Sequence, residues 1–134
     1  MIQATFQAFY THYTETPLPA FVEGFFFGEV PEGTSGNYAV FTPLVMVPEY
    51  DMSSHLELIP IQIAIYTNTA EENEGPTVAL NLGELFMTWF DDCTLSIGGA
   101  TLVRIDRESH NLIQDPDGGW MYQIDYAILV QEAI

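Results

Sequence analysis

The segment from Leu58 to Thr67 constrains the fold of this chain more than any other part of its sequence. Isoleucine occupies every second position in it, at Ile59, Ile61, Ile63 and Ile65. Because successive side chains of a strand point to opposite faces, residues at this spacing share one face. The pattern therefore predicts a strand with one fully apolar face, while Gln62 and Tyr66 belong to the other face.

Two further segments have the spacing of amphipathic helices. In residues 2–14 the larger apolar side chains recur every three or four positions and form one stripe. They are Ile2, Phe6, Phe9 and Tyr13. The main helix is predicted over residues 76–91, since Pro76 suits the first turn, where its missing N–H costs nothing. Its principal stripe consists of Val78, Leu82, Leu85 and Trp89.

The remaining apolar segments alternate or are rich in aromatic residues, which favours strands. We predict these strands over residues 21–28, 38–47, 94–97, 101–112 and 120–130. The Asp-Pro-Asp-Gly-Gly sequence at residues 115–119 predicts a hairpin turn between the last two. The chain of 134 residues is thus predicted to form a single α+β domain, residues 1–134. In it, one main helix and a short N-terminal helix pack on an antiparallel β-sheet.

The charge of the chain excludes several classes of partner. Nineteen acidic residues oppose two arginines, which gives a formal net charge of −17. Such a surface repels the phosphates of nucleic acids, which proteins bind mainly through Lys and Arg, and it repels anionic membranes. Self-repulsion also disfavours the crowding of copies, so a chain that assembles must direct its carboxylates away from its interfaces.

No arrangement of reactive residues predicts catalysis or metal binding. His12, His55 and His110 lie far apart in the sequence, without the spacing that lets one element offer two ligands. Cys93 follows two aspartates, whose charges raise the pKa of a thiol and make it a poor nucleophile. We expect no metal, no cofactor and no enzymatic activity. A single cysteine and the absence of a signal-peptide pattern in residues 1–4 favour a reducing cytoplasm.

The main helix and the two arginines predict a surface for assembly. The helix is apolar on more than one side, and in a chain this short the second side favours contact with a neighbouring subunit. Arg104 and Arg107 lie three positions apart on one predicted strand, so they face opposite sides of it. Each needs a carboxylate partner, within the chain or on a neighbour. The predicted interface residues are Phe86, Trp89, Phe90, Arg104 and Arg107.

Two other functions stay open at this level. The aromatic residues could instead line a pocket, which is typical of a small-molecule-binding domain. They are Phe25, Phe26, Phe27, Trp89, Trp120 and Tyr122. A small hydrolase or isomerase would need converging carboxylates, one of them with a raised pKa in a pocket. No motif places such groups, so the enzyme is the least favoured interpretation.

The order of several segments resembles that of one protein family. A short N-terminal helix precedes Pro-Ala-Phe-Val-Glu-Gly at residues 19–24, Glu-Val-Pro-Glu-Gly-Thr at 29–34 and Tyr-Ala-Val-Phe at 38–41. The isoleucine strand, an acidic loop and the single main helix follow. The closing hairpin ends in Gly-Gly-Trp-Met-Tyr-Gln-Ile-Asp-Tyr at residues 118–126. This arrangement resembles the tail-terminator, or tail-completion, proteins in the neck of long-tailed bacteriophages.

The resemblance implies a structural role in a virion that is assembled in the host cytoplasm. Such proteins form a ring, usually a hexamer, that stops polymerisation of the tail tube and joins the tail to the head. Their partners are the tail tube protein and the head–tail connector protein, and DNA passes through the ring without being bound. A negative channel wall suits this passage, because it cannot hold phosphates. We predict that Glu71, Glu72 and Glu74, in the densest acidic loop, face the lumen.

Overall fold

The computed structural model describes residues 2–32, 36–44, 56–67, 76–114 and 119–132. It contains helices α1 (Ile2–Thr14) and α2 (Thr77–Phe90), with a short 3-10 helix at Leu18–Ala20. The strands are β1 (Phe25–Phe27), β2 (Tyr38–Pro43), β3 (Leu56–Thr67), β4 (Ala100–Gln114) and β5 (Trp120–Glu132). No helix within these ranges is both long and apolar enough to cross a membrane.

One five-stranded sheet, in the order β1-β2-β3-β5-β4, carries both helices, which confirms the α+β prediction. The neighbouring pairs β2–β3, β3–β5 and β5–β4 are antiparallel, as predicted. The first strand differs, because β1 runs parallel to β2, with Phe26 opposite Val40. The predicted closing hairpin is confirmed by the register of its strands, in which Gln114 pairs with Trp120, although its turn at residues 115–118 lies outside the described residues.

The isoleucine strand is the centre of the core. All four isoleucines of β3 are fully buried, and the alternate residues of β5 that pair beside them cover the same face. The opposite face of the sheet is polar in its middle. There Gln62 donates a hydrogen bond to Asp125 at 3.1 Å, and Ser109 donates one to the other oxygen of Asp125 at 2.8 Å. The sheet therefore has one apolar face, while the other face is polar at its middle and carries Val40, Ala64 and Tyr66 on the side toward β1.

The N-terminal helix α1 has the bounds that its spacing predicts. Phe6, Phe9 and Tyr13 are buried on the side that faces the sheet. The ring of Phe9 lies 4.5 Å from that of Phe90, so α1 also contacts the end of α2. Both helices thus share the apolar face of the sheet and seal one continuous core.

The buried side of α2 differs from the predicted stripe. Its buried residues are Ala79, Leu82, Gly83, Phe86 and Phe90. Of the predicted stripe, Leu82 is buried and Val78 and Leu85 are partly buried against the core, whereas Trp89 is 39% exposed. The helix is rotated because Gly83 lets it approach the ring of Tyr122, where an added Cβ would lie only 2.6 Å from Cδ1. The rotation directs the rings of Phe86 and Phe90 into the core, where they lie 6.1 Å apart.

Two strand predictions need correction. Residues 94–97 form no strand but an irregular segment, in which the buried side chains of Leu95 and Ile97 alternate with exposed ones. That alternation imitates a strand because the segment lies against the core along one side. The predicted strand over residues 21–28 shrinks to β1, because the amide of Phe21 bonds the carbonyl of Leu18 at 2.8 Å and closes the short 3-10 helix instead.

Candidate functional site

An open, mostly apolar groove lies between α1 and β1. Its volume is about 740 Å³. The lining residues are Gln3, Phe6, Gln7, Tyr10, Phe25, Phe26, Phe27, Phe41 and Pro43. None of them is charged, although the chain has a net charge of −17. We call this feature the aromatic groove.

The floor of the aromatic groove is a rigid stack of rings. The ring of Phe25 lies 4.4 Å from that of Phe41 and 4.6 Å from that of Tyr13, both nearly parallel. Its rim is accessible, because Tyr10 is 45% and Phe27 is 54% exposed. Exposed aromatic side chains around an uncharged depression are typical of surfaces that contact another molecule.

The predicted aromatic pocket is therefore found only in part. Phe25, Phe26 and Phe27 line the aromatic groove, but Trp89, Trp120 and Tyr122 do not. Tyr122 is buried against α2 instead, and its hydroxyl shares a 2.8 Å hydrogen bond with Nδ1 of His110. Sequence reasoning did not anticipate the contribution of α1. The signal was that the exposed residues of this helix are uncharged, which is unusual in so acidic a chain.

The three α2 residues of the predicted subunit interface differ in their exposure. Phe86 and Phe90 are fully buried within the core of the chain, so in this structure their side chains present no surface to a neighbour. Their rings already have partners in Tyr13, Phe9 and Phe25. Trp89 keeps exposed surface, and its carbonyl accepts a 2.6 Å hydrogen bond from Nε2 of His12. Contact of Trp89 with a neighbour stays a prediction.

The end of α2 is fixed by a polar cluster that sequence reasoning missed. Tyr126 donates a 2.7 Å hydrogen bond to Asp91, whose other oxygen lies 3.6 Å from Nη2 of Arg107. Arg107 also contacts the sulfur of Met87. A carboxylate at a helix C-terminus opposes the helix dipole, and these two donors offset that misfit. Burial, together with the hydrogen bond to Asp91 and its charge, raises the pKa of Tyr126 far above its ordinary value.

The two arginines lie on opposite faces of β4, as their spacing predicts. Arg107 points toward the helices and Asp91, whereas Nε of Arg104 pairs with Asp106 on the other face at 2.8 Å. Both side chains of the second pair are at least half exposed. An exposed pair of this kind contributes at most about 1 kcal/mol, so Arg104 can exchange its partner easily.

The edge strand β4 presents an irregular outer surface near Arg104. Its register with β5 shifts between Leu102 and Arg104, which leaves Val103 as the extra residue of a bulge. Val103 is 48% exposed. A second shift lies between Arg107 and Ser109. Bulges and charged residues on an edge strand prevent uncontrolled pairing with other strands.

The remaining candidate residues in the described part of the chain are Cys93, His12 and His110. Burial raises the pKa of the Cys93 thiol to about 11, with smaller contributions from the charges of Asp91 and Asp92, so the predicted direction is confirmed. His12 and His110 lie on separate elements, while His55 lies outside the described residues. In the described part of the chain, no group of three or more His, Cys, Asp or Glu residues is placed to hold a metal ion. Glu71, Glu72 and Glu74 also lie outside that part.

Comparison with known proteins identifies the fold. No protein-family model and no curated protein matches the sequence. Among solved structures, one chain of the "Virion of native gene transfer agent (GTA) particle" matches with a TM-score of 0.76. The match covers 91% of this chain and 90% of that chain at 14% sequence identity. The two chains therefore share their fold over nearly their whole lengths, and the matching chain belongs to a virion.

Proposed function

We propose that this protein is a structural component of a phage-like virion and that its copies form a ring at the top of the tail tube. There it ends tube polymerisation and joins the tail to the head. The observation that carries this proposal is the match of the whole fold to a chain of a gene transfer agent virion. A match that covers 91% of this chain and 90% of the other indicates the same domain, without large insertions in either.

The two edges of the sheet support assembly into a ring. A ring of identical subunits needs two different, complementary surfaces on each copy. The sheet order places β1 and its aromatic groove at one edge and the bulged strand β4 at the other. These surfaces are unlike in shape and in charge, as the two surfaces of a ring contact must be.

The positions of two acidic segments support an acidic lumen. Residues 68–75, with Glu71, Glu72 and Glu74, follow Thr67, whose hydroxyl bonds the carbonyl of Trp120 at 3.0 Å. Asp115 and Asp117 follow Gln114 in the sequence, and Gln114 also pairs with Trp120. The strands that precede the two acidic segments, β3 and β4, therefore finish at the same end of the sheet. In our proposal this end faces the lumen, where its carboxylates repel passing DNA.

Electron microscopy and light scattering test the ring directly. Purified chain at rising concentration should form particles with a central channel, and their mass should be a fixed small multiple of the chain mass. Six copies are expected from the resemblance to tail terminators. Particles without a channel, or a mass that grows without limit, would contradict a closed ring.

The lumen assignment has its own test in a charge-reversed loop. The triple variant E71K/E72K/E74K should retain DNA in the assembled particle, because lysines in a channel bind phosphates. The matched control E15K/E32K/E84K has the same net charge and places its lysines at exposed positions elsewhere. DNA retention is measured by co-sedimentation at the lowest salt concentration at which both variants remain assembled. Equal retention by the two variants would exclude the loop from the lumen.

A second candidate function is supported by the aromatic groove. Its volume of about 740 Å³ lies within the range of small-molecule sites, and its lining is mostly aromatic. A binding domain would gain thermal stability from an apolar ligand, and F27S would abolish that gain. If no compound of an apolar fragment library raises the melting temperature, this alternative is excluded.

A further inference from the structure

The aromatic groove is a surface that a second copy of this acidic chain can approach. Its described lining has no charge, and the exposed residues of α1 beside it are Gln3, Gln7, Tyr10, Thr11 and Thr14. At a net charge of −17, contact through most other surfaces would bring carboxylates together. The groove avoids that repulsion and offers exposed aromatic area in its place.

The bulge at the opposite edge has the complementary properties. Val103 projects apolar surface from β4, and the neighbouring Arg104 is one of the two cations in the chain. The other cation, Arg107, is held on the helix side by Asp91. Among the described residues, Arg104 pairs with the exposed Asp106. The bulge thus combines a small apolar side chain with a guanidinium that can turn to a new carboxylate.

We infer that the aromatic groove of one copy receives the Val103–Arg104 bulge of the next copy. This inference rests on the proposed ring and names the two surfaces that would close it. Val103 packs between the exposed rings of Tyr10 and Phe27, and Arg104 pairs with a carboxylate at the rim of the groove.

Charge complementarity selects this bulge as the occupant. Glu23 lies two residues before β1 in the sequence and Glu29 two residues after it, and both side chains are exposed. Carboxylates at these positions repel any acidic surface and attract a guanidinium. Of the two cations, only Arg104 lies on the face of β4 away from the helices. The apolar contact and the ion pair therefore come from two consecutive residues.

Because of the strand order in the sheet, each copy can make this contact with two neighbours at once. Because β1 and β4 are opposite edges of one sheet, a copy that receives a bulge in its groove still presents its own bulge to the next copy. A contact of this kind is heterologous and yields a ring when the rotation between copies closes. The bulge enters by its side chains, so the contact does not require strand pairing along β4.

A complementation experiment tests the inference. Two variants each block one surface, F27E in the groove and V103E on the bulge. Both positions are about half exposed, and circular dichroism confirms folding before assembly is measured. Each variant alone should remain a monomer, with its association weakened tenfold or more, about the effect of losing a central apolar contact.

An equal mixture should form dimers only, because one intact groove meets one intact bulge. The control F21E changes an exposed aromatic residue outside the groove and should assemble as the wild type does.

A charge exchange repeats the test without altering the groove. R104E should weaken association about tenfold, and the double variant R104E/E29R should restore it. The control R104E/E15R has the same net charge, so it separates a specific pair from general repulsion. Rescue by E15R as well as by E29R would overturn the ion pair.

The remaining outcomes separate the inference from the proposed function. Rings formed by F27E or by V103E would overturn the inference while the ring itself stands. Loss of assembly in F27E but not in V103E would show that the groove receives another surface, which also overturns it. A wild-type chain that stays monomeric at every concentration would remove the ring and the inference together.

Discussion

The two edges of the sheet are built in opposite ways. β1 has three residues, all phenylalanines, and α1 lies beside it. β4 has fifteen residues, mostly exposed, and carries both arginines of the chain and two bulges. Each edge resists uncontrolled strand pairing in its own way. β1 is too short to pair over any distance, and β4 is interrupted by bulges and carries charged side chains. Edges that do not pair with themselves leave two unlike surfaces, which is the condition for a directional assembly.

The largest expected contrast between the edges is in folding stability. Phe25→Ala should lower the free energy of unfolding by about 3–5 kcal/mol, because it empties a stack of buried rings under β1. Val103→Ala at the other edge should change it by less than about 0.5 kcal/mol. Urea unfolding of both variants measures the contrast. Similar losses would mean that the bulge of β4 also belongs to the core.

The centre of the sheet gives the next largest effect. Gly83→Ala should cost about 1–3 kcal/mol, because the new Cβ would meet the ring of Tyr122 and push α2 away from β5. Gly98→Ala is the matched control, since a Cβ there has no atom within 4 Å. Thermal unfolding compares the two variants. An unaffected Gly83→Ala would remove the reason given for the rotation of α2.

A smaller effect is expected at the polar cluster beside β4. Tyr126→Phe removes the hydroxyl that bonds Asp91 and should cost about 1–2 kcal/mol. The loss stays moderate because Arg107 still faces the carboxylate. Tyr10→Phe, at an exposed position of the aromatic groove, serves as control and should leave stability unchanged. Equal effects of the two variants would mean that the bond to Asp91 contributes nothing.

A separate expected effect is a dependence of stability on alkaline pH under β1. Burial raises the pKa of Tyr13 from 10.0 to about 12, with a smaller contribution from Tyr10. The unfolded chain therefore loses this proton first, and stability falls as pH rises from about 10 to about 12. Below about pH 10 the contribution is fully present. In the Tyr13→Phe variant, the free energy of unfolding should fall less steeply between these pH values than in the wild type, as measured by urea titration. An unchanged fall would contradict the assignment to Tyr13.

Periodic segments were predictable because their pattern depends on local geometry alone. The bounds of α1, and the buried face of β3, follow from side chains that repeat at the helical or strand period. The rotation of α2 was not predictable, since Leu85 and Trp89 are as apolar as Phe86 and Phe90. Only the position of Gly83 against a ring from β5 decides which pair is buried.

The candidate surfaces depend on contacts between distant parts of the chain. The aromatic groove joins α1 to β1 and β2, and the bond between Tyr126 and Asp91 spans 35 positions. No spacing in the sequence encodes either of them. The parallel direction of β1 was missed for the same reason, because a strand of three residues has no pattern of its own. The pairing of each arginine within the chain was among the stated alternatives and is confirmed.

The central claim is that unlike edges join copies of this acidic chain into a closed ring. Sedimentation equilibrium of the wild-type chain, from about 0.01 M to about 0.5 M salt, tests it most directly, because salt screens repulsion between the copies. The account predicts monomers at low salt that convert, as salt rises, into one species of fixed mass. A chain that is monomeric at every salt concentration, or that dissociates as salt rises, would contradict it.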